Sequence, residues 1–183
     1  MEIGICLYEN QPLHTECDHK AVPMSSPNEK LYDLLQQQAP DSVLLIGRSP
    51  VPALATYCEQ QSCTVTQSAV LTPDEVGALA HHDLILVADC LEHCPPSEGR
   101  LLLGALRNRL NPRILVAVDE QRAGWGFTDF LGLGFRREAH FAQAGQSLSL
   151  SLYGYDLGNY NHKRSWNTPE NWANPENWGK YWW

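Results

Sequence analysis

Apolar residues along this chain follow two rhythms. Residues 42–47 (SVLLIG), 83–90 (DLILVADC) and 113–119 (RILVAVD) are short, nearly continuous apolar runs. Runs of that length and evenness suit strands buried on both faces of a parallel sheet. Residues 63–67 (CTVTQ) give a further strand between the first two, and residues 2–8 (EIGICLY) alternate as a short strand would. The second rhythm is helical. Leu31, Leu34 and Leu35 share one face of SPNEKLYDLLQQQ, and Leu103, Leu106 and Leu110 share one face of SEGRLLLGALRNRL, while ALATYCEQQ reads as a helix between two strands.

Punctuation supports this division. Ser26, Pro27 and Glu29 supply an N-cap, a first helical residue and the acid of a capping box, and Thr72, Pro73 and Glu75 repeat the pattern for a short helix. Pro95, Pro96 and Ser97 mark another start, and TDFLGLG is a short helix with a glycine stop. FRREAHFAQ and QSLSLSLYGY read as two strands joined by a tight turn at Ala144 and Gly145. Strands alternating with helices predict an α/β fold closed by an antiparallel hairpin. The chain divides into an N-terminal strand and loop (1–25), an α/β domain (26–157) and a tail (158–183).

The tail has its own composition. Five of the six tryptophans lie in it: Trp166, Trp172, Trp178, Trp182 and Trp183. Pro-Glu-Asn-Trp occurs at residues 169–172 and again at 175–178, which spaces three of the indoles six apart and suggests two short helical turns. A buried indole removes up to ~250 Å² from water, about 6 kcal/mol at ~25 cal/mol/Å². Ordering the segment costs about 1–2 kcal/mol per residue, so the tail holds only if its indoles find pockets. We expect it to dock on its own domain, on a protein partner or on a twin subunit. Tryptophan supplies interface hot spots, and so many exposed indoles would make an adhesive surface.

Charge and length narrow the classes. A formal net charge of −8 with scattered basic residues argues against a nucleic-acid partner. Arg107, Arg109 and Arg113 stand where they would complement a helix dipole. No stretch reaches the ~18 apolar residues of a membrane span. The start, MEIGICLYEN, lacks a basic n-region, so a cytoplasmic protein is expected. Six cysteines do not form paired C-x-x-C motifs. A zinc site would have to recruit Cys90, His93 and Cys94 with Cys17 and His19, and buried free thiols are the commoner outcome. His81 and His82 are expected at the surface. Asp119 and Glu120 leave a strand together, where acids are most often exposed. Ser49 lacks the strained setting of a hydrolase nucleophile.

The stretch HDLILVADCLEHCPPSEGRLLLGALRNRLNPRILVAV resembles the fourth strand, acidic D-x-L-E-H loop, helix and fifth strand of class I S-adenosylmethionine (SAM) dependent methyltransferases, and FLGLGFRREAHF is similar to their last helix and sixth strand. The resemblance implies a Rossmann-like, mostly parallel sheet with one antiparallel strand. It places Gly47, Ser49, Gln67, Asp89 and Cys90 around the cofactor position and makes Glu92 and His93 the catalytic candidates at the strands' C-terminal edge.

Three features depart from the family's pattern. Leu45 stands where an acid is expected, and the G-x-G-x-G turn is GRSPV, with Ser49 and Val51 at the second and third glycine positions and Pro50 removing a backbone donor. Gln67 replaces the acid that grips the ribose. Between the second strand and DLILVADC there is room for one short helix only, so the fold is shortened there. These departures lead to the expectation of a decayed SAM site, no cofactor, and a binding or assembly role carried by the tail. The alternative is an active SAM-dependent methyltransferase on a small molecule or protein, with the tail as a lid.

Overall fold

A computed structural model describes residues 26–69, 72–109, 113–142, 149–160, 174–177 and 180. The strand expected at residues 2–8, the hairpin turn, Cys17, His19 and all five tail tryptophans lie outside them.

The first helix, α1 (Pro27–Gln38), forms as its sequence dictates. Ser26 N donates to Glu29 Oε2 at 2.7 Å and Glu29 N donates to Ser26 Oγ at 3.2 Å, which closes the capping box. The helix ends at Ala39, which is left-handed (φ 43°) and donates its N–H to Leu35 O. Pro40 follows and cannot extend the helix. The buried face is Leu31, Leu34 and Leu35; full burial of such a side chain contributes about 1.5–3 kcal/mol.

The elements that follow are β1 (Ser42–Ile46), α2 (Pro52–Gln61), β2 (Thr64–Ser68), α3 (Pro73–Val76), β3 (Leu84–Ala88), α4 (Pro96–Asn108), β4 (Arg113–Asp119), α5 (Glu120–Ala123), α6 (Phe127–Gly132), β5 (Arg136–Ala142), β6 (Ser149–Asp156) and α7 (Leu157–Tyr160), with 3-10 turns at Leu91–His93 and Pro175–Asn177. The sheet order is β2-β1-β3-β4-β6-β5. Strand β6 runs antiparallel to β4 and β5, and the remaining pairings are parallel. This is the expected fold. Among the described residues one short helix stands between β2 and β3, and β2 lies at one edge of the sheet.

The apolar strands are buried on both faces, as their continuous runs required. On one face Leu44, Ile46, Ile85, Val87, Ile114 and Val116 pack with Leu102, Leu103 and Leu106 of α4 and with Trp125, Phe130 and Phe135. On the other, Val43, Leu45, Leu84 and Leu86 pack with the buried leucines of α1 and with Ala53, Leu54 and Tyr57 of α2. Tyr153 stacks on Phe130 with ring centroids 3.9 Å apart.

One expectation changes. His82 is buried: its Nδ1 is 3.0 Å from Ala80 O and its Nε2 is 3.2 Å from Thr66 Oγ1, so two ring contacts offset its desolvation. Arg107 stands in the last turn of α4, as the dipole favours, and the arginines also reach the C-terminal ends of other helices. Arg107 donates to Leu133 O at 2.9 Å, Arg109 donates to Val76 O and Leu79 O, and Arg113 donates to Gln38 O at 2.5 Å. A guanidinium has five donors, and carbonyls left over at the ends of α1, α3 and α6 accept them.

Candidate functional site

Parallel strands of this order open a crevice at their C-terminal edge where neighbouring connections leave to opposite faces. Here β1 and β3 are those neighbours. A cavity of about 290 Å³ lies over them, lined by the start of α1, by Ser49, Pro50 and Val51 after β1, by Asp89 and Glu92 after β3, by Asp119 and Arg122, and by Leu150 and Leu152 of β6.

The floor is fixed by Gly47. A Cβ at this position would lie 1.8 Å from Ala88 O, so only glycine lets β1 pass the end of β3. Gly47 N donates to Ser68 O at 2.9 Å, and Gly47 O accepts from Gln67 Nε2 at 3.2 Å. Gln67 therefore turns its amide back onto the bend that follows β1. Leu45 is 3% exposed within the core.

Asp89 is the hub of the site. One carboxylate oxygen accepts from Ser49 Oγ, and the other is 2.7 Å from His93 Nε2. The Ser49 and His93 hydrogen bonds hold its carboxyl below the usual aspartate range. Its backbone is left-handed (φ 51°), a conformation that costs a non-glycine residue about 1–2 kcal/mol. Ser49, Asp89 and His93 thus form a hydrogen-bonded chain across the crevice, joining the loop after β1 to the loop after β3. The order differs from a hydrolase triad, because the carboxylate and not the imidazole touches the serine.

Glu92 takes a different path. Its Oε1 accepts from Asp119 N at 2.7 Å, which ties the β3 loop to the end of β4, while its Oε2 is buried with no hydrogen-bond partner. Neither Asp89 nor Glu92 caps α4, whose N-cap is Pro95. Asp119, expected at the surface, is instead buried, because it caps α5 by accepting from Gln121 N and Arg122 N. Cys90 lies in the core cluster with Leu91, on the α4 face, and burial pushes its thiol up to about 11. Among the described residues no group of three or more His, Cys, Asp or Glu could hold a metal ion, and Cys90, His93 and Cys94 do not converge.

A second polar cluster escaped the sequence reading. Glu120 accepts hydrogen bonds from Tyr153 OH and, at 3.1 Å, from Arg137 Nη2. Arg137 also donates to Tyr153 OH and lies 4.3 Å over the Phe127 ring. His140 Nδ1 is 2.7 Å from Ser151 Oγ. Burial pushes the Glu120 carboxyl up, but the Tyr153 and Ser151 hydrogen bonds and Arg137 outweigh it and hold it low. Burial and Glu120 together push Tyr153 up to about 12. The signal available in sequence was register: Arg137 stands opposite Tyr153, and His140 opposite Ser151. The cluster ties the hairpin to α5 through Glu120 and to α6 through Phe127.

A larger hollow of about 810 Å³ lies at the opposite edge of the sheet. It is lined by Phe135, Tyr155, Arg113, Arg136, Glu138 and Gly158 among others. No helix among the described residues is long and apolar enough to cross a membrane.

The model of a family described as "Family of unknown function (DUF6231)" matches residues 25–183. No curated protein matches the chain. Among solved structures, the fold is similar to Burkholderia thailandensis 1,6-didemethyltoxoflavin-N1-methyltransferase with bound 1,6-didemethyltoxoflavin and S-adenosylhomocysteine, at 16% identity over 69% of this chain and 76% of that one, with a TM-score of 0.50. Magnesium protoporphyrin IX methyltransferase of Synechocystis PCC 6803, with bound SAM, is 11% identical over 69% of this chain and 76% of that one, TM-score 0.45. The N-methyltransferase NodS of Bradyrhizobium japonicum WM9, in complex with S-adenosylhomocysteine, is 14% identical over 73% of this chain and 89% of that one, TM-score 0.43. The fold is methyltransferase-like.

Proposed function

Since the chain belongs to that family of unknown function, we propose from its own geometry that it is a methyltransferase-like domain with a decayed SAM site, and that it works by binding, with the tryptophan-rich tail as its contact segment. The observation that carries this reading is the Ser49–Asp89–His93 chain of hydrogen bonds. It spans the crevice where the adenosyl ligand of a methyltransferase would need bare main chain.

Other residues support the same reading. Gly47 is explained by Ala88 alone, without a ligand. Leu45 offers the core a side chain where the fold family would offer a ligand an acid, and Gln67 spends a donor on Gly47 O. At about 290 Å³ the cavity falls just below the ~300–1,000 Å³ range of ligand pockets. These residues do not fit SAM, and no reaction step is assigned through it.

The tail is the second part of the proposal. The family match runs through residue 183, so the tail belongs to the family unit. Gly158, where the tail leaves the domain, stands on the rim of the larger hollow, which gives the indoles an adjacent surface in cis. A protein partner or a second copy would meet the same residues in trans. A cytoplasmic setting accompanies this reading; Cys58, Cys63, Cys90 and Cys94 are free thiols, the form a reducing compartment maintains.

Calorimetric titration with SAM and with S-adenosylhomocysteine tests the first part. The expected result is no binding tighter than about millimolar. A micromolar dissociation constant for either ligand would overturn it and restore the active-methyltransferase alternative. A chain ending at Gly158 tests the second: it should lose either melting temperature or a co-purifying partner. A truncated protein that keeps both removes the tail from the proposal.

A further inference from the structure

The two edge strands of the sheet are treated differently. Strand β5 carries Arg136, Arg137, Glu138 and His140, and its pairing with β6 shifts register between Arg137 and Ala139. Charges and bulges of this kind are how natural sheets keep an edge from pairing further. Strand β2 has neither. Its sequence is Thr-Val-Thr-Gln-Ser, with no charge and no proline, and its register with β1 is unbroken from Thr64 to Ser68. Thr64, Val65, Thr66 and Gln67 are all exposed, Val65 by 43%.

The hydrogen bonds say which groups face outward. Thr64 N donates to Asp41 O at 3.0 Å, and Ser68 O accepts from Gly47 N at 2.9 Å. In a parallel pair one residue directs both its N–H and its C=O to the same side, and the next residue directs them to the other. Thr64, Thr66 and Ser68 therefore face β1, and Val65 and Gln67 present an N–H and a C=O each at the open edge. Among the described residues nothing pairs with those four groups.

We propose that β2 is an interaction edge on which a second copy of this chain docks, antiparallel, about a twofold axis passing beside Thr66. The axis follows from the outward groups. Val65 opposite the partner's Gln67, and Gln67 opposite the partner's Val65, exchange four main-chain hydrogen bonds, and Thr66 faces itself across the axis as a non-hydrogen-bonded pair. The seam is self-complementary in three further respects. Its five residues carry no charge, although the chain has a net charge of −8. Val65 gains a neighbour on the face where it is exposed. The strand is bounded by left-handed Ser62 before it and by the bend at residue 69 after it, so a strand of its own length is the matching occupant. Four bonds of ordinary net strength make a dimer that depends on concentration and not a permanent one.

Sedimentation of the full chain from ~1 to ~500 μM should show a monomer–dimer equilibrium. Hydrogen exchange at the Val65 and Gln67 amides should slow as the dimer forms. Val65→Pro removes one outward donor per chain and leaves the β1 ladder intact; it should weaken the dimer about 30-fold, the loss of two hydrogen bonds. Should that variant fold poorly, Val65→Lys places a charge on the seam and decides the matter by the same readout, while Val65→Thr should keep the dimer. A chain that stays monomeric throughout the range overturns the proposal. So does a dimer that survives both Val65→Pro and Val65→Lys, or amide protection that ignores concentration and vanishes on deleting residues 1–25, which would make an N-terminal strand the occupant. None of these results depends on whether SAM binds.

Discussion

Gly47 crosses beneath Ala88 so closely that a single added carbon would lie 1.8 Å from the Ala88 carbonyl oxygen. Main chain cannot swing aside as a flexible side chain can, and both residues sit at the ends of central strands. Gly47→Ala should therefore destabilise the domain by more than ~3 kcal/mol, or prevent its folding, as core overpacking against rigid backbone does. Urea unfolding followed by circular dichroism measures this. A variant with unchanged stability would show that the glycine is not a packing requirement.

The conformation of Asp89 gives a second test. Asp89→Ala removes both hydrogen bonds and keeps a side chain in a left-handed conformation, whereas Asp89→Gly removes the bonds and relieves the strain. The glycine variant should be the more stable of the two by about 1 kcal/mol. The carboxyl is held below its ordinary range by Ser49 and His93, so its contribution is present above about pH 4 and is lost as pH falls through the lower folded value. Acid unfolding of Asp89→Asn should accordingly show a shallower dependence of stability on pH below about 4 than the parent protein.

Much of this was legible in the chain. Ser26 and Glu29 announced their helix because a capping box is a local device, complete within four residues, and the apolar runs announced strands because burial on both faces leaves no room for polar alternation. Other relationships join residues far apart. Glu120 meets Tyr153 across 33 residues, and His82 meets Thr66 across 16. Nothing local to His82 marks it as buried; it becomes so because β2 runs beside it. The same holds for Arg109, whose partners lie at the end of α3. Asp89 was legible as a residue of the crevice. Its bond to Ser49 was not, because it requires a left-handed aspartate that sequence gave no reason to expect.

The Glu120–Tyr153–Arg137 cluster predicts behaviour at high pH. Tyr153 is pushed up to about 12, so the stability it contributes is fully present below its unfolded value near 10 and is lost as pH rises toward 12. Absorbance titration of tyrosinate should show a late component made of Tyr153 and of Tyr57, whose phenol burial also pushes up, and Tyr153→Phe should diminish that component by one group. The same variant should cost about 1–3 kcal/mol, since Glu120 is half-buried and loses a donor.

Fluorescence separates the tail from the domain. Trp125 is 4% exposed and packs against Phe130 with ring centroids 4.7 Å apart. A chain ending at Gly158 keeps this indole alone of the six tryptophans, so its emission should be that of a buried group. Subtracting it from the full-length spectrum isolates the five tail indoles. If they dock in cis, the difference spectrum should be blue-shifted from that of a free peptide of residues 159–183 at every protein concentration. A difference spectrum matching the free peptide would mean that the tail finds its partner elsewhere.

Strand β6 has one more consequence. It begins beside Asp119, next to the crevice, and its eight residues carry the chain about 24 Å to Asp156, beside Arg113. The backbone thus exits at the pole opposite the Ser49–Asp89 bridge. Two guests, one at each pole, would not collide, and damage to either berth should leave the other in working order.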